Sequence, residues 1–467
     1  MRNGITDVAE PFPLTVDRRL MTAVFVAAFA VCALLTKTHV TSWNDGSRIA
    51  TVDALTANKT FVIDGSPFAV NLGDKILFRG RHYSDKPPLL SLCAAAVALL
   101  VAPVGITLRH TPGTAIYLIT LLTVGVWFAL GCAYAYAFQR LLGFAPRVAA
   151  AVAALSGLAT LALPYAIVLT NHVPCGAAAL AGCYHLVRAR DGGRAHDVLA
   201  GMFFALAYAF DASGIVLAVA GAILLWRAPA HRWLLCIAAG APIVALQLAY
   251  NVHVSGSILP TAFTANVWTE FPLKPGATAP QPFELLSAAD YARLAVNLLF
   301  GGKGLLSYTP LVLLAGYGAV VMLRAGGIMR RVACAIAVTT AVYFVMILAL
   351  QNDFAAQNYG ERRYVDVFFL IGVALGPALV SVRSRWAVVV TRLCVVLSVC
   401  IAALGTVAPF GGAPGQSGFS FGSAEFAALM RRAPVQAGID VLMLIVVVAL
   451  VLWLLPAQRR YEPVPTR

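Results

Sequence analysis

The side chains that could do chemistry are concentrated in a few polar segments of an otherwise apolar chain. The first segment opens with Trp43-Asn44-Asp45-Gly46-Ser47-Arg48 and closes with Tyr83-Ser84-Asp85-Lys86-Pro87-Pro88. A carboxylate can act as a general base toward a hydroxyl, and fixed cations stabilise a developing anion. Ionisable groups this close to apolar runs usually serve a function. The segment is therefore the first candidate for a reaction site.

Two residues of this segment also have structural interpretations. Asn, Asp and Ser are preferred at helix N-termini, and residues 47–57 read as a helix, so Asp45 could serve as a helix cap. Lys86 precedes Pro-Pro and an apolar run, so it could be an interfacial lysine whose stem lies along apolar surface. Both interpretations stay open on the sequence alone.

A second polar segment, residues 351–364, ends in Gly360-Glu361-Arg362-Arg363-Tyr364. Arginine presents a planar fork of N–H donors that fits phosphate oxygens, so Arg362 and Arg363 are candidate phosphate ligands. A local ion pair with Glu361 or Asp353 is the alternative interpretation.

Two further ionisable groups stand at helix ends. His172 follows Asn171 where an apolar run restarts, and histidine can act as a ligand or as a proton carrier. Asp211 interrupts two short apolar runs. Its position favours a solvated turn carboxylate over a site residue.

These segments lie in a chain of 467 residues that is 60% hydrophobic and only 12% charged. Soluble domains carry about 25% charged residues, so the bilayer must be the solvent for much of this chain. The nine cysteines fall in or beside apolar runs without a C-x-x-C spacing, which favours packing roles.

Twelve apolar runs are candidate membrane spans. They are residues 20–40, 113–138, 148–169, 172–187, 197–210, 212–226, 233–252, 304–323, 332–350, 365–382, 386–408 and 438–456. A thirteenth run, 88–108, is interpreted as a re-entrant or surface-lying helix, because the short basic loops then all fall on one side. That side is the cytoplasm by the positive-inside rule, so both termini are predicted there. The net charge of +14 is then mostly a topology signal and indicates no nucleic-acid partner.

The sequence therefore predicts an all-α polytopic membrane protein of about twelve transmembrane helices with juxtamembrane helices on the outer face. We expect a transmembrane domain over residues 1–382 that includes an outer loop at 41–112. Residues 383–467 form a C-terminal transmembrane region of unknown role. A bacterial inner membrane is the predicted location, with the polar segments on its outer side.

Six motifs in chain order resemble the GT-C glycosyltransferases, specifically the bacterial family 39-like group that uses phospholipid carriers. Asn44–Arg48 resembles the group's N-[ED]-x-S-R opening, and Gly80–Leu89 resembles its G-x-x-Y-S-D-K-x-P-G segment, with Leu89 in place of the last glycine. The other four elements are Asn171-His172, Tyr250-Asn251 with Gly256-Ser257, Gly304–Pro310, and Gly360-Glu361-Arg362, in which Glu361 replaces a proline. The resemblance covers about residues 43–370.

The resemblance implies transfer of a hexose or pentose from a polyprenyl-phosphate carrier to a hydroxyl of a lipid or glycan acceptor, with membrane lipids as further partners. It implies Asp45 as the general base, with Lys86 and Arg362 facing the leaving phosphate and Arg363 in support. The substrate-binding positions that it implies are Lys86, Arg362, Arg363, His172, Tyr83, Asp85, Asn44 and Arg48. A divalent cation on Asp45 fits this chemistry, but no ligand cluster in the sequence requires a cofactor or a metal.

A lipid or glycan transporter without transferase activity is the alternative. A transporter favours internal repeats and charged groups at mid-membrane, whereas the ionisable residues here cluster at predicted span ends. A soluble nucleotide-sugar enzyme is disfavoured, because the sequence has no glycine-rich phosphate loop.

Overall fold

The structure, a computed structural model, describes residues 17–191, 193–261, 287–350, 358–410, 423–432 and 434–455. The described residues are helical almost throughout. Their α-helices in chain order are α1 Arg18–Leu35, α2 Trp43–Asn58, α3 Pro88–Val101, α4 Pro112–Thr120, α5 Val126–Leu141, α6 Pro146–Leu158, α7 Ala162–Ala166, α8 His172–Arg188, α9 Arg194–Phe210, α10 Gly214–Leu224, α11 Ala230–Ser255, α12 Ala288–Phe300, α13 Leu305–Tyr308, α14 Leu311–Ala325, α15 Gly327–Leu350, α16 Val365–Gly372, α17 Leu375–Ser381, α18 Arg385–Gly405, α19 Ser423–Arg432 and α20 Pro434–Leu454.

Short elements connect several of these helices. Three-residue 3₁₀ helices lie at Pro67–Ala69, Ala102–Val104, Ala189–Asp191 and Arg362–Tyr364, and a π-helical turn at Leu121–Gly125 joins α4 to α5. Two strands, β1 Lys75–Phe78 and β2 Arg81–Ser84, form a hairpin between α2 and α3.

Five helical stretches among the described residues are long and apolar enough to cross a membrane. They are Arg18–Leu35, Pro112–Leu141, Ala230–Ser255, Gly327–Leu350 and Arg385–Gly405. Two bent pairs raise the number to seven: Ala288–Tyr308 with Leu311–Ala325 turns by 90°, and Arg362–Gly372 with Leu375–Ser381 turns by 56°. The predicted fold class, an all-α polytopic membrane protein, is confirmed.

Each of the twelve predicted spans contains a helix, but several of these helices are short. The run 148–169 is divided between α6 and α7, and α9 and α10 meet at Asp211, as the sequence indicates. Because these pieces are shorter than a bilayer needs for one straight helix, the span number of about twelve stays a prediction. The same holds for the cytoplasmic termini and for whether the apolar helix at Pro88–Val104 crosses.

The predicted division after residue 382 stays a prediction as well. Helix α18, which begins the C-terminal region, buries Val395, Val399 and Ala402 in the main apolar core. The Ser398 hydroxyl of α18 also accepts a hydrogen bond from the Leu311 N–H at the start of α14 (2.9 Å). Helix α18 therefore packs on the helices that precede it.

Helix α8 lies at the centre of the bundle and is buried along almost its whole length. Small residues make this possible where α16 approaches. A Cβ placed on Gly176 would lie 2.8 Å from the carbonyl oxygen of Asp366. Glycine at this position lets α16 come close enough for its first turn to reach His172.

The loop between α1 and α3 forms a compact layer on one end of the bundle. Helix α2 is buried from Asn44 to Ala54. In the hairpin, Lys75 pairs with Ser84 and Phe78 with Arg81. Arg79 and Gly80 form the turn with φ of 51° and 73°, the left-handed pair that matches the twist of a two-residue hairpin.

Candidate active site

The hairpin sets Lys86 between two carboxylates. Because Lys75 pairs with Ser84, Asp74 and Asp85 stand beside each other at the open end of the two strands. The Lys86 ammonium lies 2.9 Å from Asp74 Oδ2 and 2.8 Å from Asp85 Oδ2, and its side chain is 15% exposed. A lysine with two carboxylate partners is held in place, so Lys86 is a fixed cation rather than a mobile interfacial one.

Arg48 brings a second cation to the same place from α2. Its side chain is fully buried. One guanidinium nitrogen donates to the Asn44 carbonyl at 2.8 Å and to the Asn44 side-chain oxygen at 2.5 Å, and the other donates to Asn171 Oδ1 at 2.5 Å. Burial lowers the pKa of Arg48 to about 10, although the nearby Asp85 opposes that shift. The Arg48 Nε is buried without a hydrogen-bond partner among the described residues.

Arg362 supplies the third cation. It begins the 3₁₀ helix that follows Gly360, whose φ of 63° lets the chain turn there. Its guanidinium lies 5.6 Å from the centre of the Phe410 ring, and its charge acts on both Asp74 and Arg48. Like Arg48, it has a buried Nε without a partner in the part of the chain that the structure describes.

Glu361 has a local structural role. It is buried, and its carboxylate accepts the backbone N–H of Arg363 at 3.2 Å, which caps the 3₁₀ helix. Asp353, the other acid considered as an ion-pair partner for the arginines, lies outside the described residues. The Arg363 side chain is half-buried.

Asp45 is used by its own helix. Ser42 caps α2, and Asp45 completes a capping box with it. Asp45 Oδ2 accepts from the Thr41 N–H (2.7 Å) and hydroxyl (2.9 Å), and Oδ1 accepts from the Ser42 N–H and hydroxyl (both 2.7 Å). The side chain is 3% exposed. This geometry favours the capping interpretation, and the role of Asp45 as a base stays a prediction.

A second cluster lies deeper, where α8, α10, α15 and α16 meet. The His172 imidazole Nδ1 lies 3.0 Å from Asp366 Oδ1 and 3.7 Å from Asp211 Oδ2. The Ser213 hydroxyl lies within hydrogen-bond distance of both carboxylates, 2.7 Å from Asp211 Oδ1 and 2.6 Å from Asp366 Oδ2, and the Tyr343 hydroxyl donates to Asp366. The ligand atoms of His172, Asp211 and Asp366 all lie within 4.8 Å of one another, which is a candidate metal site.

Asn171 connects the two clusters. Its side-chain oxygen accepts from Arg48, and its amide nitrogen donates to Asp211 Oδ2. Arg48 of α2 and the buried triad are thus joined by one hydrogen-bonded chain.

Most of the predicted site residues come together. Asn44, Arg48, Asp85, Lys86 and Arg362 share one polar cluster, and His172 is joined to it through Asn171. Tyr83 is placed differently, because its ring is buried with Ile76, Tyr250 and Val254 in an apolar cluster between the hairpin and α11.

The sequence alone indicates no role for Asp74 or Asp366, and it favours a turn residue at Asp211. The short Arg79-Gly80 turn, flanked by β-forming residues, is typical of a hairpin. A hairpin with this turn would place Asp74 opposite Asp85. Asp366 carried no such signal, because it is one acid in a strongly apolar run.

The two buried carboxylates beside Lys86 have pKa shifts of opposite direction. Burial raises the pKa of Asp85 above its ordinary value, and the neighbouring Asp74 charge adds to this against the opposing Lys86. Burial also acts to raise the pKa of Asp74, but Lys86, Arg362 and Arg48 together hold it below its ordinary value. At neutral pH, Asp74 is therefore a fixed negative charge and Asp85 the stronger base of the pair.

No protein-family model matches the chain, and no curated protein matches it. Solved structures do. ArnT from Cupriavidus metallidurans bound to undecaprenyl phosphate aligns with a TM-score of 0.53 at 18% identity, covering 92% of this chain and 76% of that one.

The oligosaccharyltransferase of Archaeoglobus fulgidus in its apo form aligns with a TM-score of 0.51 at 12% identity, over 89% of this chain. The archaeal oligosaccharyltransferase AglB from the same organism, in complex with an inhibitory peptide and a dolichol-phosphate, aligns with a TM-score of 0.51 at 13% identity, over 96%. This chain spans 58% and 62% of the length of those two proteins. At such identities the likeness shows the fold alone: the chain has the GT-C fold, as its motifs predict.

Proposed function

We propose that the protein is a membrane glycosyltransferase that moves a sugar from a polyprenyl-phosphate carrier to an acceptor hydroxyl. The observation that carries this proposal is the group of cations Arg48, Lys86 and Arg362 around Asp74 and Asp85. Two of these cations keep a buried N–H without a partner among the described residues. Buried polar groups are normally paired, so unpaired donors on buried cations favour an anionic ligand.

The charge of this cluster fits a carrier phosphate. With all groups ionised, three cations and two carboxylates leave one net positive charge. The phosphodiester that links a sugar to a polyprenol carries one negative charge, so it would neutralise the cluster. The fold supports the same ligand class, since ArnT was solved with undecaprenyl phosphate and AglB with a dolichol-phosphate.

The reaction is a single displacement at the sugar. The acceptor hydroxyl oxygen attacks the anomeric carbon, the bond from that carbon to the phosphate oxygen breaks, and the electron pair stays on the phosphate. The leaving phosphate gains negative charge as this happens. Cations already fixed at that position stabilise the transition state without reorganising.

The triad His172, Asp211 and Asp366 is suited to a divalent cation. One imidazole nitrogen and two carboxylate oxygens form a donor set used for zinc and manganese, and their spacing leaves room for a common ion. A cation held by this triad would add positive charge to the network that Asn171 connects to Arg48. Metal analysis of the purified protein, with Asp366→Asn as the variant, tests this assignment. Equal metal content in both proteins would remove it.

We assign the active site to the outer side of a bacterial inner membrane, with both termini in the cytoplasm. The excess of Lys and Arg in the short loops of the opposite side supports this orientation. The test uses a variant in which the nine native cysteines are replaced and one cysteine is placed in the hairpin turn, and it measures labelling of intact cells by a membrane-impermeant thiol reagent. Labelling seen only after the cells are permeabilised would show that the hairpin lies on the cytoplasmic side, opposite to this assignment.

Turnover of a defined donor tests the function. The purified protein is incubated with undecaprenyl-phosphate hexoses and pentoses and with lipid A, oligosaccharide or peptide acceptors, and products are detected by mass spectrometry. We expect release of undecaprenyl phosphate together with a glycosylated acceptor. The Arg362→Ala variant should lose this activity, and Arg385→Ala, an exposed arginine at the start of α18, should retain it. Movement of an intact lipid or glycan across vesicles without such products would support the transporter alternative.

A further inference from the structure

The proposed reaction needs a proton acceptor, and the carboxylates near the cations differ in their availability. The two carboxylate oxygens of Asp45 accept hydrogen bonds from five donors at the start of α2, which belong to Thr41, Ser42 and Gly46. Asp74 lies beside three cations that stabilise its charge. These two carboxylates are therefore poorly suited to accept a proton.

Asp85 is held differently. Its side chain is 3% exposed, and only Oδ2 has a partner, the Lys86 ammonium at 2.8 Å. Oδ1 is buried and accepts no hydrogen bond from any described residue. The Asp85 backbone is fixed by the Thr261 hydroxyl, which donates to its carbonyl oxygen at 2.6 Å. A rigid carboxylate with one oxygen left unpaired is an unusual arrangement that suggests a ligand hydroxyl as the missing donor.

The charged and titratable groups that face Asp85 come from every element around it. Lys86 follows it on the hairpin, Asp74 lies across the hairpin, Arg48 faces it from α2, and Tyr250 faces it from α11. Burial raises the pKa of Asp85, Asp74 reinforces that shift, and the two cations oppose it. A general base is most effective when its pKa lies near the working pH, and an upward shift moves an aspartate in that direction.

On the premise of the proposed glycosyl transfer, we propose that Asp85, and not Asp45, is the catalytic base that takes the proton from the acceptor hydroxyl. The O–H bond of the acceptor breaks as its oxygen bonds to the anomeric carbon, and the proton passes to Asp85 Oδ1. The bond to the phosphate oxygen breaks with its electron pair, which releases the polyprenyl phosphate. The proton on Asp85 is then lost to water, which restores the carboxylate.

The geometry couples this proton transfer to the leaving group. Asp85 and Asp74 share the Lys86 ammonium before the reaction. When Asp85 becomes neutral, the net charge of the cluster rises from one positive charge to two. The leaving phosphate gains its second negative charge in the same step. Lys86 is thus released from one carboxylate when the phosphate needs it.

Asp85→Asn in the full-length purified protein tests the assignment. We expect turnover to fall at least 100-fold, while undecaprenyl phosphate binds as well as before or more tightly, because a negative charge beside Lys86 is gone. Asp85→Glu should restore part of the rate. In the wild-type protein, kcat/KM should fall as pH decreases through the pKa of Asp85, because only the ionised form accepts a proton. This acid limb should lie above the ordinary aspartate value of about 3.9.

Asp74→Asn is the matched control, since it removes the same charge from the other side of Lys86. The Asp74→Asn variant should keep an acid limb, moved to lower pH because the Asp74 charge that raises the pKa of Asp85 is gone. The Asp85→Glu variant should also shift the limb, which provides a test even if Asp85→Asn does not fold. Wild-type turnover in Asp85→Asn, or a loss of turnover matched by an equal loss of carrier binding, would overturn the assignment. A wild-type protein that neither binds nor turns over any carrier would instead remove the proposed function itself.

Discussion

The Asp45→Asn variant tests whether the Asp45 carboxylate acts as a helix cap or as the catalytic base. Asp45 Oδ2 accepts two hydrogen bonds from Thr41, and Oδ1 accepts two from Ser42 and one from the Gly46 N–H. An amide keeps one acceptor oxygen and turns an NH₂ group toward the other pair of donors. The hydroxyl of that pair can rotate and accept, but the backbone N–H loses its acceptor. Bonds to charged groups contribute about 1.5–3 kcal/mol and caps about 0.5–2 kcal/mol, so we expect a loss of about 2 kcal/mol.

The assay is thermal unfolding of the purified protein together with turnover well below the unfolding midpoint. Ser42→Ala is the control, because it removes the other half of the capping box. If Asp45 acts as a cap, both variants lower the midpoint, and turnover per folded molecule changes by less than tenfold. An Asp45→Asn protein with an unchanged midpoint and at least 100-fold slower turnover would refute the capping assignment and restore Asp45 as the base.

Three further predictions concern packing and charge around the site. Gly176→Ala should lower stability by about 1–3 kcal/mol in thermal unfolding, because its Cβ would lie 2.8 Å from a carbonyl oxygen of α16. Gly316→Ala is the control and should not lower stability, because its Cβ would meet no atom within 4 Å. Gly360→Ala should weaken carrier binding measured by native mass spectrometry, because its φ of 63° and a 2.8 Å approach to a leucine methyl would displace Arg362; binding equal to wild type would contradict this. Arg363→Ala should reduce carrier affinity less than Arg362→Ala, and the reverse order in the same measurement would exchange their roles.

The helices were largely predictable because the bilayer imposes a simple rule on the sequence. A run of apolar residues with few charges must form a helix there, and the apolar runs of this chain do so. What the rule does not give is how short pieces such as α6, α7 and α10 are arranged relative to the membrane. That depends on packing against neighbours and not on the hydropathy of each piece.

The polar cluster of the candidate site was predictable where its members share a short motif. Asp85 and Lys86 are adjacent in the chain, and Asn44 and Arg48 are one helical turn apart. Asp211 and Asp366 could not be assigned to the site, because His172 lies far from both in sequence and only the folded chain brings the three together. Asp74 could be placed only through the hairpin that pairs its strand with that of Asp85. Asp45 lies in a motif that resembles one of the GT-C group, and the hydrogen bonds of its carboxylate are all local, while its role as a base stays a prediction.

The central claim is that Arg48, Lys86 and Arg362 form a binding site for a lipid-linked phosphate. Titration of the purified protein with undecaprenyl phosphate, followed by native mass spectrometry, measures this directly. We expect wild type and Arg385→Ala to bind alike, and Lys86→Ala and Arg362→Ala to bind at least 30-fold more weakly, since each loses a charge-assisted contact of about 2 kcal/mol or more. Equal affinity in all four proteins would contradict the account.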